Sequence, residues 1–240
     1  MNGKFVKLLI GASLGAAALM SPLPAAAGAL QVDPIRLEIG AGRRTASVRV
    51  RNEEGVPVTI RAYPLNWSQV EGEDRYEDSS AVIVSPPIFT IPAGGSQVVR
   101  VGLRTPSSDP HAYRLVIEEV PQARTGTGIQ VALRLNLPLF VMMAPGEQGE
   151  LAWSAARGSD GAWTVEAANR GGNYVRVEMA AAEAATGIDF ADTQNFGVVL
   201  PGAIRRWTIG ANPNVRDQAR LTSILRTSAG AHAQLATRGQ

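Results

Sequence analysis

Ile129-Gln-Val-Ala-Leu-Arg-Leu-Asn-Leu-Pro-Leu-Phe140 is the stretch that decides the fold. Ile129, Val131, Leu133, Leu135, Leu137 and Leu139 share one face, and Gln130, Ala132, Arg134, Asn136 and Pro138 share the other. A period of two is the signature of a β-strand, whose side chains alternate between faces. Most strands run about 5–6 residues, and this ribbon is twice that. A strand so long outruns its own sheet or serves two domains.

The same period recurs upstream in Thr45–Arg51, Val56–Arg61, Val98–Leu103 and Tyr113–Val120. Turn residues separate these runs at Gly40–Gly42, Asn52–Gly55, Gly72–Asp74 and Pro92–Gly95. Downstream, Ala144–Glu147 reads as a hinge. A second set of short strands follows it at Leu151–Trp153, Trp163–Ala167, Val175–Glu178, Trp207–Ile209 and Leu221–Leu225. Ala180–Ala185 is helical in composition but lies between strands, and reads as strand and loop. Short strands at this spacing argue for β-sandwiches. The expected fold class is therefore all-β, with two immunoglobulin-like sandwiches over residues 28–143 and 147–240.

Residues 1–27 read as a signal peptide. Lys4 and Lys7 form the basic start, Leu8–Met20 the apolar run, and Ala25–Ala27 the small-residue cleavage pattern; cleavage after Ala27 or after Ala29 fits. No later run is long and apolar enough for a transmembrane helix, so membrane insertion is not expected. Setting Lys4 and Lys7 aside leaves 21 of the 23 basic residues against 21 acidic ones, and every remaining basic residue is arginine. So balanced a charge gives no drive toward nucleic acid. The chain has no cysteine and two histidines, His111 and His232. Thiol chemistry and zinc–thiolate sites are excluded, and no metal, cofactor or catalytic residue is expected.

In order and spacing, several motifs resemble the periplasmic pilus chaperones of the chaperone–usher pathway. They are Leu30–Leu37 with its basic Arg36, Val48–Asn52 ending in asparagine, and Val84-Ser-Pro-Pro-Ile-Phe-Thr-Ile-Pro-Ala-Gly94. Gln97–Val101, Tyr113–Pro121 and the Ile129–Phe140 ribbon complete the set, and Asn169–Val177 and Leu200–Gly202 are weaker landmarks. The resemblance implies two sandwiches in a boomerang with a cleft between them. It implies donor-strand complementation of pilus or spore-coat-like subunits and delivery to an outer-membrane usher from the periplasm. The donor strand would be Ile129, Val131, Leu133 and Leu135, with Leu137 and Leu139 as core. An exposed apolar edge also allows the free protein to cap itself by dimerising.

The resemblance further implies a cleft that holds the subunit's terminal carboxylate with two basic residues. Arg36 matches the first, and its planar fork suits a carboxylate. The second is a lysine in the family's best-studied branch, and Pro138 stands there. That leaves Arg36 alone, or Arg36 assisted by Arg100 or Arg134. Arg134 shares a face with Pro138 but lies about 13 Å away at about 3.3 Å per residue. Glu119 matches an acid that pairs across the domain interface, but its usual basic partner is replaced within Val141-Met-Met143. Both departures suggest a divergent, spore-coat-like or archaic branch.

The same residues admit competing readings. An exported adhesive or carbohydrate-binding module would use Trp153, Trp163 and Trp207 as a platform, although these read as core aromatics. The acidic group Glu71-Gly-Glu-Asp74 reads as a solvated turn rather than a catalytic pair. Ser85 and His111 sit in no nucleophile-elbow pattern.

Overall fold

A computed structural model of the protein describes residues 30–40, 42–106, 109–121, 131–141, 149–177 and 197–209. Among them there is no helix. The N-terminal unit begins with β1 (Leu30–Asp33), β2 (Leu37–Ile39), β3 (Thr45–Asn52), β4 (Val58–Val70) and β5 (Glu73–Asp78). It continues with β6 (Val82–Ser85), β7 (Ile88–Ile91), β8 (Ser96–Leu103), β9 (His111–Glu119) and β10 (Arg134–Val141). One sheet runs β1-β3-β8-β6, and the facing sheet runs β2-β10-β9-β4-β5 with β7 also on β4.

The two sheets meet over one apolar core. Val48, Val50, Val99 and Val101 come from the first sheet, and Leu37, Ile60, Leu115, Ile117 and Leu139 from the second. In β3 the inward residues Val48 and Val50 are buried while Arg49 and Arg51 stay outside, as the alternation requires. β4 is much longer than its Val56–Arg61 pattern suggested. Pro64 interrupts that pattern without stopping the pairing, since it stands opposite Leu115 of β9. The first part of β4 pairs with β7 and the last part with β5.

The β4–β5 hairpin turns on two residues, Glu71 and Gly72, with φ of 55° and 91°. Positive φ at both positions is the primed turn that matches the twist of paired strands. Gly72 also lies close to a later strand, where an added Cβ would come within 3.5 Å of the Arg206 backbone nitrogen.

The C-terminal unit contains β11 (Leu151–Arg157), β12 (Trp163–Asn169), β13 (Val175–Arg176), β14 (Val198–Val199) and β15 (Ile204–Ile209). They form the sheets β11-β12-β15 and β13-β14. The hinge expected at 144–147, the strand expected at 221–225 and the alanine run at 180–185 lie outside the described residues.

Each unit has a strand that ends in a buried asparagine. Asn52 Nδ2 donates to the carbonyls of Val56, Ile91 and Pro92, and its Oδ1 accepts from the Glu54 amide. Asn169 Nδ2 donates to Asn173 and Val199, and its Oδ1 accepts from Glu150 and Gly171. These amides satisfy backbone groups at turns and strand ends, which matters because an unpaired buried polar group is costly. Replacing Asn52 with alanine is expected to destabilise the protein by about 2 kcal/mol. Urea denaturation should show a lower midpoint at unchanged slope.

Candidate functional site: an open strand edge and an adjoining cleft

β10 carries the Arg134–Phe140 part of the long apolar ribbon. β9 covers one side of it from Arg134 to Val141. On its other side, β2 pairs in parallel with Leu139, Phe140 and Val141 and no further. Among the described residues, 134–138 therefore present an unpaired edge of backbone donors and acceptors, a template for another strand.

The ribbon is not a strand along its whole length. Residues 131–133 precede the ladder, and Ile129 lies outside the described residues. The reason is local. β9 ends at Glu119, whose amide donates to the Leu133 carbonyl at 2.9 Å and whose carboxylate accepts from the Leu133 amide at 3.3 Å. Beyond that point no neighbouring strand among the described residues extends the ladder.

One face of the ribbon passes gradually out of the core. Leu139 and Leu137 are buried, Leu135 packs partly against the core, Leu133 is half-buried and Val131 is 75% exposed. The apolar alternation thus continues past the edge of its own sandwich.

The other end of β10 reaches the junction between the two units. Trp67, Ala112 and Phe140 pack with Leu200 of the C-terminal unit, flanked by Tyr174, Val198 and Ala203. Tyr174 stacks on Phe140 with centroids 3.7 Å apart and planes at 15°. Phe140 in turn touches Trp67, and the Arg114 guanidinium lies 3.8 Å from the Trp67 ring centroid. Gln69 extends the junction with a backbone-like pair of bonds: its Nε2 donates to the Val198 carbonyl and its Oε1 accepts from the Leu200 amide.

Asp74 is the polar centre of this junction. Its Oδ1 accepts from Trp67 Nε1, Gln69 Nε2 and Arg205 Nη1, each at 2.9 Å. The Arg205 side chain is only 8% exposed. This corrects the expectation that the acidic group at the hairpin is simply a solvated turn. The primed turn brings Asp74 back against β15, and only the paired hairpin reveals that. Glu119 caps the start of the ribbon, its carboxylate accepting from the Leu133 amide.

Beside the junction is a cavity of about 630 Å³ lined by Ile35, Arg36, Pro138, Phe140, Tyr174 and Arg176, among others. Arg36 projects from the segment before β2, Pro138 from the open part of β10, and Tyr174 and Arg176 from the C-terminal unit. Arg36 Nε pairs with Glu38 Oε1 at 3.1 Å, and the Tyr174 hydroxyl donates to the same oxygen at 2.7 Å. Arg100 lines a neighbouring cavity of about 350 Å³ together with Arg36, Glu38 and Arg43. Arg134 stands at the far end of β10 opposite Glu118 and does not line the cleft. Sequence reasoning missed Tyr174 and Arg176. The alternation Val175-Arg176-Val177 was the available signal, with Arg176 on the outward face.

Among the described residues, no group of three acids, histidines or cysteines could hold a metal. Trp153, Trp163 and Trp207 are at most 5% exposed, so they are core residues and present no sugar platform. No described helix is long and apolar enough to cross a membrane.

The described strands define an immunoglobulin-like all-β protein with an open-edged strand beside a cleft. Residues 29–144 match the family described as pili and flagellar-assembly chaperone, PapD N-terminal domain. The chaperone protein FimB/FhaD of Bordetella pertussis is 30% identical over 142 residues, covering 54% of this chain and 57% of that protein. The chain thus aligns with little more than half the length of this curated relative.

Solved structures share the fold. The CsuC–CsuE chaperone–tip adhesion subunit complex from archaic chaperone–usher Csu pili of Acinetobacter baumannii superposes with a TM-score of 0.61 at 20% identity, covering 77% of this chain and 89% of that one. The E. coli chaperone DraB gives 0.55 at 15% identity, covering 77% and 86%. The SafB chaperone complex with the SafA pilin of Salmonella enterica gives 0.54 at 15%, covering 78% and 86%.

Burial, and then the bond to Glu38, push the Tyr174 hydroxyl up from its ordinary value of 10.0 to about 12. A raised folded-state pKa means the neutral phenol's contribution is complete below pH 10 and is lost as pH climbs toward 12. Absorbance titration of phenolate should show one tyrosine ionising late, and Tyr174→Phe should remove that component. Asp74→Ala should cost about 2 kcal/mol, less than the about 3–5 kcal/mol for breaking a fully buried pair, because the Asp74 side chain is 26% exposed. Thermal unfolding and Trp67 emission would report it.

Proposed function

We propose that the chain is a periplasmic assembly chaperone that completes pilus-type subunits by lending them a strand. The observation that carries this reading is the unpaired edge of residues 134–138, continuous with the exposed apolar alternation at Val131 and Leu133. An incomplete immunoglobulin-like subunit exposes the complementary hazard, a groove of apolar pockets beside unpaired backbone. Adding a strand supplies main-chain bonds along the edge and side chains for the pockets. Ile129, Val131 and Leu133 would enter the guest. Leu135 would bridge guest and host, because it already packs partly on its own core.

The cleft supplies the anchor for the guest's terminal carboxylate in this reading. Arg36 is its first cation. The position that holds a lysine in the best-studied branch holds Pro138, and Arg176 lines the same cavity from the opposite unit. We assign Arg176 the second role, ahead of Arg100 and Arg134, neither of which lines that cavity.

In the same proposal, residues 1–27 direct export and residues 28–143 and 147–240 are the two domains, angled around the cleft. The chaperone acts without catalysis or cofactor. It passes its guest to an outer-membrane usher by strand exchange, and the free edge is capped by a second copy. The similar proteins, a chaperone from Bordetella and chaperones bound to a tip adhesion subunit or a pilin, support the substrate class.

Co-expression with a candidate subunit tests the strand. Leu133→Glu places a charge in an apolar pocket and should cut soluble subunit at least tenfold while the chaperone itself stays folded. Normal subunit yield with this variant would remove the donor-strand reading. Arg36→Ala and Arg176→Ala should each lower subunit recovery severalfold, and Arg134→Ala should leave it unchanged.

A further inference from the structure

The anchoring cation of the cleft is already engaged by a carboxylate of its own chain. Arg36 and Glu38 lie two residues apart, on one face of an extended segment. Their side chains meet at 3.1 Å, through Arg36 Nε. Such an exposed pair is weak when both side chains are free to move. Here one of them is held. The Tyr174 hydroxyl donates to the same Glu38 oxygen at 2.7 Å, and the Tyr174 ring is fixed by its stack on Phe140. Phe140 stands opposite Glu38 in the parallel β2–β10 pairing, so both ends of this bond rest on one register.

Arg36 also forms part of the wall between two cavities. It lines the 630 Å³ cleft cavity with Tyr174 and Arg176, and the 350 Å³ cavity with Glu38. Glu38 therefore meets the guanidinium from the side away from the cleft cavity. A ligand carboxylate entering the cleft can take the terminal amino groups, but it meets a cation already partly neutralised.

We propose that Glu38, pinned by Tyr174, is an internal counter-carboxylate that limits how tightly Arg36 holds a ligand carboxylate. The inference rests on the carboxylate-anchor reading of the cleft and adds its regulation. A chaperone without an energy source must surrender its guest by exchange, and a weakened anchor keeps the hold reversible. Because Tyr174 belongs to the C-terminal unit and Glu38 to the N-terminal unit, the pinning exists only while the two units are docked as described.

The test uses the full chain and a labelled eight-residue peptide of alternating valine and threonine. The peptide is made with a free C-terminal carboxylate and as its C-terminal amide. Fluorescence polarisation measures both affinities on wild type, Glu38→Gln and Tyr174→Phe. Wild type should prefer the acid. Glu38→Gln should tighten the acid about two- to fivefold, the span of an exposed ion pair, and leave the amide unchanged. Tyr174→Phe should move the acid in the same direction by a smaller factor. If wild type prefers the acid but neither variant tightens it, the role of Glu38 is overturned and the anchor stands. If wild type binds acid and amide alike, the anchor reading itself fails, and this inference with it.

Discussion

Backbone hydrogen bonding along β10 is the constraint on which the rest of the structure depends. A strand inside a sheet satisfies its donors and acceptors on both sides; a strand at an edge does so on one. β10 is both. At Leu139–Val141 it is enclosed between β2 and β9, and at Arg134–Pro138 β9 is its one partner among the described residues. The enclosed part carries Leu139 and Phe140 into two different cores, one on each face of the sheet. That firm attachment lets the preceding residues project from the sandwich without unravelling it. The same short β2 that leaves the edge open also carries Glu38 and follows Arg36, so strand edge and cleft are set by one pairing.

The junction between the units follows from this arrangement. Phe140, on the outer face of β10, needs cover, and Tyr174, Trp67 and Leu200 supply it. The polar rim is built on the β4–β5 hairpin, where one carboxylate oxygen of Asp74 gathers three donors. A carboxylate can accept several such bonds, and each is stronger for being charge-assisted. The bond to Arg205 joins the hairpin to β15. Cleft geometry and junction chemistry are therefore one system, because Tyr174 takes part in both.

Much of the all-β architecture was legible because the period of two persists wherever one face is buried. Thr45–Asn52 and Ser96–Leu103 follow it residue by residue. Val58–Val70 was read too short because Pro64 breaks the pattern, and only pairing with β9 and β5 shows the strand continuing. Arg36 was named from its place in the Leu30–Leu37 motif that carries the resemblance, and in the structure it lines the cleft. Tyr174 and Arg176 were not, because nothing in Asn173-Tyr-Val-Arg176 states that this segment faces Arg36 from more than a hundred residues away.

The sequence by itself determined the strands, the balanced charge without cysteine, and the apolar alternation that runs beyond one sheet. These are local properties, fixed by which side chains neighbour one another along the chain. The tertiary structure alone decided where that alternation loses its partner strand, because this depends on where β2 and β9 end. It also decided that Asp74 would meet Arg205 and that Tyr174 would meet Glu38. Such meetings join residues more than a hundred positions apart, and chain neighbours carry no record of them.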